Sequence, residues 1–204
     1  MSRNVTLVLE SSNTYFGGGY TLLKQLVDEL EIRQKNTIVY LGYPEVYKTL
    51  RDENYQFIKI ILTNKLYTLL RYFKKRERVL FFCNLPPFRQ QQKSILYFHN
   101  PNIIVKGSTT NRKESLRNNA KYLLYRLWLG GFHRNVNLIA CQTISIRDQL
   151  NKIGARAILL PFYNEIKPII GEKKYDFCFV SSFAPHKNHN NLISAVKILL
   201  KERH

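Results

Sequence analysis

The chain has 204 residues, of which 45% are hydrophobic and 23% charged, a composition that indicates a folded globular protein and excludes a disordered or fibrous one. Lysine and arginine (32) outnumber aspartate and glutamate (14), so the formal net charge is +18 and an anionic partner is favoured: nucleic acid, an anionic membrane or a phosphorylated small molecule. The apolar run after residues 1–4 is too short for a secretory signal, and no stretch approaches the ~18 apolar residues of a membrane span. We therefore expect a cytoplasmic protein.

Short runs rich in β-branched and aromatic residues alternate with longer segments of helical period. The predicted strands are residues 5–10, 37–42, 56–62, 79–83, 94–99, 137–141 and 157–160. The predicted helices between them are residues 20–33, 44–52, 65–76, 112–129 and 145–153. This alternation predicts an α/β fold with a doubly wound parallel sheet, that is, a Rossmann-like domain over residues 1–162.

The pattern changes after this domain. Residues 163–174 have no clean period and are predicted to be a linker, and residues 175–204 add one strand (175–180) and one helix (about 190–203). One strand and one helix cannot bury their apolar faces alone. Either this segment packs on the first domain, or it begins a second domain near residue 175.

Several kinds of site are disfavoured by what the sequence lacks. The chain has no P-loop, no Gly-x-Ser-x-Gly elbow and no Asp-x-Asp pair, which disfavours P-loop nucleotidases, α/β-hydrolases and metal-dependent sugar transfer. Cys83, Cys141 and Cys178 lie far apart in apolar runs, with no metal-ligand spacing. We expect all three to be buried, reduced thiols.

Polar and glycine residues follow several of the predicted strands, at the edge of an α/β sheet where ligands bind. Gly17, Gly18 and Gly19 stand directly before a predicted helix, where free backbone amides and the helix dipole can bind an anion. They do not form the dinucleotide fingerprint, because Leu22 stands where its third glycine would be. A plain strand-to-helix turn is an equally open interpretation.

Two further positions carry candidate chemistry. His99 ends a strongly apolar strand, where it is either a structural hydrogen-bonding residue or a group that orients a sugar hydroxyl. Lys187 lies between a predicted strand end and a helix start, where a cation and the helix dipole can act on one phosphate. The alternative for Lys187 is a solvated lysine, with Asn190 as the helix cap.

Four segments together resemble the glycosyltransferases of family 4: the loop that ends at Gly19, residues 95–101, residues 140–143, and above all Pro185-His-Lys-Asn-His189. The last segment is most similar to enzymes that build surface polysaccharides such as O-antigen or capsule. The resemblance implies a GT-B fold and a retaining, metal-independent hexosyltransferase without a cofactor. It also implies a nucleotide-sugar donor as substrate, a lipid-linked glycan acceptor and no nucleic acid.

The resemblance also assigns residues to the site. His99 matches the catalytic histidine beside the transferred sugar, and Lys187 matches the lysine on the donor diphosphate. Ser182 stands where many relatives have an arginine on that diphosphate. The remaining assignments are Gly18 and Gly19 to the donor phosphates, and Gly17, Asn100, Gln142 and Thr143 to the acceptor or cleft. A Glu-x7-Glu signature that holds the donor is not found after Lys187, so we expect residues 175–204 to be an incomplete donor domain.

Two predicted helices combine leucine stripes with basic residues. The stripes are Leu66, Leu69, Leu70 and Phe73 in one helix, and Leu116, Ala120, Leu123, Leu124 and Leu127 in the other. We expect both stripes to face the core, because such helices pack on the sheet. The neighbouring basic residues can dock on anionic lipid, which would place the protein peripherally on the inner face of the plasma membrane, near a lipid-linked acceptor.

Rival functions make different predictions. A noncatalytic nucleic-acid- or membrane-binding module would use the same positive charge, and salt-dependent duplex binding would support it. A GT-B-like epimerase would turn over a nucleotide sugar without an acceptor. A phosphorylase would transfer sugar to free phosphate.

Overall fold

The structure, a computed structural model, describes residues 6–74, 78–104, 112–161, 178–179 and 189–202. The strands are β1 (Leu7–Glu10), β2 (Thr37–Leu41), β3 (Ile58–Leu62), β4 (Arg78–Phe81), β5 (Lys93–Phe98), β6 (Leu138–Cys141) and β7 (Ala157–Leu159). The helices are α1 (Gly18–Ile32), α2 (Pro44–Arg51), α3 (Lys65–Phe73), α4 (Arg112–Phe132), α5 (Ile144–Lys152) and α6 (His189–Glu202). A short 3-10 turn, Pro101–Ile103, follows β5, and another, His133–Asn135, directly follows α4.

All seven strands are parallel and form one sheet in the order β3-β2-β1-β4-β5-β6-β7. Leu9 of β1 pairs with Val39 of β2 on one side and with Leu80 of β4 on the other. The strand order therefore reverses between β1 and β4, which is where open α/β sheets bind ligands. This topology confirms the predicted doubly wound α/β fold.

A hydrophobic core lies on each face of the sheet. On one face, Leu23 and Val27 of α1 and Leu50 of α2 pack on the first three strands. On the other face, Tyr72 of α3 and Leu129 of α4 belong to the second core, together with side chains of α5. Strands buried on both faces are rich in Val, Ile, Leu and Phe, as the sequence pattern predicted.

Local chemistry starts and ends the helices close to the predicted positions. Asn64 accepts a hydrogen bond from the backbone N–H of Tyr67 and so caps α3. Pro44 opens α2 at a position that needs no donor N–H. The predicted third helix is too long, because Lys74 takes an extended conformation (φ −85°, ψ 127°) and ends α3 at Phe73.

The expected orientation of the two leucine stripes is wrong. The side chains of Leu66, Leu69, Leu70 and Phe73 in α3 are exposed, as are those of Leu123, Leu124 and Leu127 in α4. Ala120 is exposed as well, and the side chain of Leu116 lies outside the described residues. Tyr72 of α3 and Leu129 of α4, on the opposite sides of these helices, belong to the core.

The cysteine prediction holds for two of three residues. Cys83 and Cys141 are buried free thiols, and burial raises the pKa of Cys83 to about 12. Cys178 is an exposed free thiol, contrary to expectation.

The structure describes only part of the region that was predicted to begin a second domain. The predicted linker at residues 163–174 lies outside the described residues, as does most of the predicted strand at 175–180. Helix α6 confirms a helix near the predicted position. Within the described residues, no helix is both long enough and apolar enough to cross a bilayer.

Candidate functional site

The loop from Ser11 to Gly17 leaves the central strand β1 and is fixed by hydrogen bonds to its neighbours. The Ser11 hydroxyl donates to the Tyr40 carbonyl (2.9 Å), and the Thr14 hydroxyl donates to the Phe82 carbonyl (3.4 Å). A methyl group added at Gly42 would lie 2.2 Å from the Ser12 carbonyl oxygen, so only glycine fits there. This rigid loop positions the start of α1 at the switch point of the sheet.

The N-terminus of α1 is open to an anion. Gly17 is its N-cap, with φ 125° in a region that favours glycine, and it offers no side-chain oxygen to the first-turn amides. No acidic residue lies in the first turn. The positive end of the helix dipole is therefore not neutralised by any side chain of the first turn.

His99 follows β5 directly and is held by Asn84, which follows β4. The Asn84 Oδ1 atom accepts from the backbone N–H groups of His99 (2.7 Å) and Asn100 (2.9 Å). These two bonds establish which atom of the Asn84 amide is the oxygen. The other atom, Nδ2, therefore lies 3.2 Å from His99 Nε2. Since an amide nitrogen only donates, Nε2 accepts and the proton of the neutral ring sits on Nδ1.

Burial of the His99 ring lowers its pKa below the usual value, and a backbone interaction with Tyr97 opposes the shift. The ring also stacks on Phe82, with centroids 5.4 Å apart. His99 is therefore neutral at pH 7. A neutral, oriented imidazole can hydrogen-bond a hydroxyl or phosphate oxygen but does not supply a fixed positive charge.

A cleft of about 480 Å³ lies between α1 and the ends of β5 and β6. Its walls are formed by Gly18, Gly19, Thr21, Leu22, Gln25, His99 and Gln142. A methyl group added at Gly19 would lie 3.7 Å from His99 Nε2. Gln25 Oε1 is buried and has no hydrogen-bond partner among the described residues. Such atoms are costly unless a ligand or water completes their hydrogen bonds.

A second cavity, of about 300 Å³, lies on the other side of the β1 loop, next to α3 and α4. We call it the aromatic cavity. Its lining includes the rings of Tyr43, Tyr72, Tyr125 and Trp128 and the polar side chains of Ser12, Asn13, Asn64 and Thr68. The Ser12 hydroxyl is buried without a partner among the described residues. Rings combined with hydroxyl and amide groups suit a ligand that is itself part apolar and part polar.

A buried ion pair fixes the wall of the aromatic cavity. Arg71 Nε lies 2.7 Å from Glu10 Oε2, and both side chains are at least nine-tenths buried. Arg71 also donates to Thr63 Oγ1 (2.7 Å) and lies 4.1 Å from the centre of the Tyr40 ring. Helix α3 is thereby joined to the ends of β1, β2 and β3.

The structure brings some of the predicted site residues together and gives others a structural role. Gly18, Gly19, His99 and Gln142 line one cleft, and Gly17 stands at its edge as the helix cap. The Thr143 hydroxyl accepts from the N–H of Ile146 and caps α5, and Asn100 Oδ1 accepts from the N–H of Asn102. Lys187 and Ser182 lie outside the described residues.

Sequence reasoning missed Asn84, Gln25 and the Glu10–Arg71 pair. Asn84 could have been found, because it ends a predicted strand and has φ 64°, where asparagine is favoured. Gln25 could not, because its place in the cleft depends on how α1 is rotated about its axis.

The described residues contain no group of three or more His, Cys, Asp or Glu side chains that could hold a metal ion. Comparison of the chain with protein-family models, curated proteins and solved structures found no match.

Proposed function

We propose that this chain is the acceptor-side part of a glycosyltransferase that moves a sugar from a nucleotide-sugar donor to a glycan acceptor. One observation carries the proposal: the cleft beside α1 combines an uncapped helix N-terminus with Gln25 Oε1, a buried atom that has no hydrogen-bond partner among the described residues, next to the ring of His99. A nucleotide sugar suits both features of the cleft. Its diphosphate can bind the helix N-terminus, and its sugar hydroxyls can hydrogen-bond to a buried polar atom.

The phosphate side of the proposal involves the first turn of α1. Gly18 and Gly19 have no Cβ, so a phosphate oxygen can approach their backbone N–H groups closely. A methyl group added at Gly18 would have no atom within 4 Å, which leaves room for a ligand. The net charge of +18 raises the local concentration of an anionic substrate.

The sugar side of the proposal involves Gln25 and His99. A sugar hydroxyl donates to Gln25 Oε1, and the His99 ring, whose Nε2 edge lies at the cleft beside Gly19, packs against the sugar. Asn84 fixes the tautomer and the orientation of the imidazole. His99 then orients the transferred sugar rather than protonating a leaving group.

The finer proposal comes from the resemblance to family 4. It adds retaining, metal-independent transfer in surface-polysaccharide synthesis, with Lys187 and Ser182 on the donor diphosphate. The aromatic cavity is a suitable place for the glycan acceptor, because its rings can pack on the apolar faces of sugars while Asn64 and Ser12 bond the hydroxyls.

A titration calorimetry panel with uridine, guanosine and thymidine diphosphate hexoses tests the proposal. We expect one of these sugars to bind, and Gln25→Leu to weaken binding about five- to tenfold, because it removes one buried hydrogen bond. Gly19→Ala should weaken binding as well, because its methyl group enters the cleft beside His99 Nε2.

Gly131→Ala is the matched control, because Gly131 is also helical and a methyl group there meets no atom within 4 Å. It should leave affinity unchanged, while both glycine variants keep or raise thermal stability. No binding by any of the nucleotide sugars, or equal losses in Gly131→Ala and Gly19→Ala, would contradict the proposal. Binding of duplex DNA alone, with steep salt dependence, would support a nucleic-acid module instead.

A further inference from the structure

The outward sides of α3 and α4 form an exposed apolar surface, the α3–α4 face. Its large side chains are each 45–65% exposed. They are Leu66, Tyr67, Leu69, Leu70 and Phe73 from α3, and Leu123, Leu124 and Leu127 from α4. Single exposed leucines are ordinary on a soluble protein, but a cluster of this size marks an interaction site.

The two helices are neighbours, so their exposed sides belong to one region. Tyr72 of α3 and Trp128 of α4 meet with ring centroids 5.8 Å apart, and both line the aromatic cavity. Leu69 belongs both to the α3–α4 face and to the wall of that cavity. The aromatic cavity therefore lies at the border of the exposed apolar surface.

Acidic residues are scarce in the same part of the sequence, so most of the net positive charge lies there. Residues 54–147 contain seventeen Lys and Arg residues and only two acidic residues, Glu77 and Glu114. Residues 65–74 and 119–134, which supply the α3–α4 face, contain no acidic residue at all. Lys74 and Lys121 are exposed there.

We propose that the α3–α4 face docks on the surface of an anionic phospholipid bilayer. Leucine and aromatic side chains on one side of a helix, with cations beside them and no acidic residues, are the features of interfacial helices that lie in the headgroup region. A second copy of this chain is a poorer partner, because two such faces would bring like charges together. A docked α3–α4 face would place the aromatic cavity next to lipid-linked glycans, and only this last consequence rests on the proposed function.

Vesicle sedimentation with the full chain tests docking without any sugar or activity. We expect binding to phosphatidylcholine vesicles with about 30% phosphatidylglycerol, and much weaker binding to phosphatidylcholine alone or at about 0.5 M salt, where exposed charges are screened.

The double variant Leu70→Asp/Leu124→Asp should lower the vesicle partition constant more than about tenfold, because it removes two membrane-buried leucines. Ile32→Asp/Ile144→Asp is the matched control, since both isoleucines are more than half exposed and lie outside the α3–α4 face. It changes net charge equally and should keep most of the binding. All four sites are exposed, so thermal unfolding should report folded protein for both double variants.

Three outcomes would overturn the proposal: no binding to the anionic vesicles, equal losses in the two double variants, or a dimer that only Leu70→Asp/Leu124→Asp dissociates. The first would leave the proposed function untouched. Loss of nucleotide-sugar binding with intact vesicle binding would affect the proposed function alone.

Discussion

At the scale of single residues, His99 was predicted as a site residue from the sequence and lines the cleft in the structure. Its backbone N–H and its ring are both held by Asn84, and its ring is buried on Phe82. The sequence placed His99 at a strand end but left a structural role open. These contacts show the structural role, and the role in binding a sugar stays a prediction.

Burial of the neutral ring predicts a pH dependence of stability. Because the native state lowers the pKa of His99, the unfolded chain binds the proton more readily, so stability is greatest above the ordinary histidine value of 6.5 and falls as the pH drops below it. His99→Phe should reduce this fall. Urea unfolding of both proteins at about pH 7.5 and about pH 5.5 measures the difference, and equal falls would show that His99 does not contribute.

At the scale of elements, the orientation of α3 depends on one residue that a hydrophobic pattern misreads. Because Arg71 is charged, a hydrophobic pattern assigns it to the solvent side of α3. The same pattern then predicts that the leucine stripe faces the core. In the fold, the buried carboxylate of Glu10 attracts Arg71, and Tyr72 beside it packs on Phe81. The leucines therefore face outward. A sequence pattern cannot predict this, because Glu10 and Arg71 are brought together only by the sheet topology.

Breaking this pair should be costly. Arg71→Met leaves Glu10 buried and unpaired, and we expect a loss of about 3–5 kcal/mol in the free energy of unfolding at neutral pH. Adding Glu10→Gln to Arg71→Met should recover part of the loss. Arg33→Met, which breaks the exposed pair with Glu29, should cost less than about 1 kcal/mol. Similar losses for Arg71→Met and Arg33→Met in chemical denaturation would contradict the structural role.

At the scale of the whole molecule, much of the architecture was predictable and part of the site was not. The seven strands were found because parallel strands buried on both faces are short, continuous apolar runs. Gly18, Gly19, His99 and Gln142 were found because ligands collect at the carboxyl ends of such strands. The direction that each helix faces was not predictable from periodicity, since it depends on contacts between distant residues.

The most direct test of the central claim maps a nucleotide sugar onto the full chain by NMR. On titration with the tightest-binding sugar of the panel, we expect the largest backbone amide shifts at Gly18, Gly19, His99 and Gln142. The side-chain amide signal of Gln25 should shift as well. These shifts should be lost in Gly19→Ala and kept in Gly131→Ala. Shifts confined to other surfaces, or none at saturating concentrations, would contradict the assignment of this cleft as the donor-sugar site.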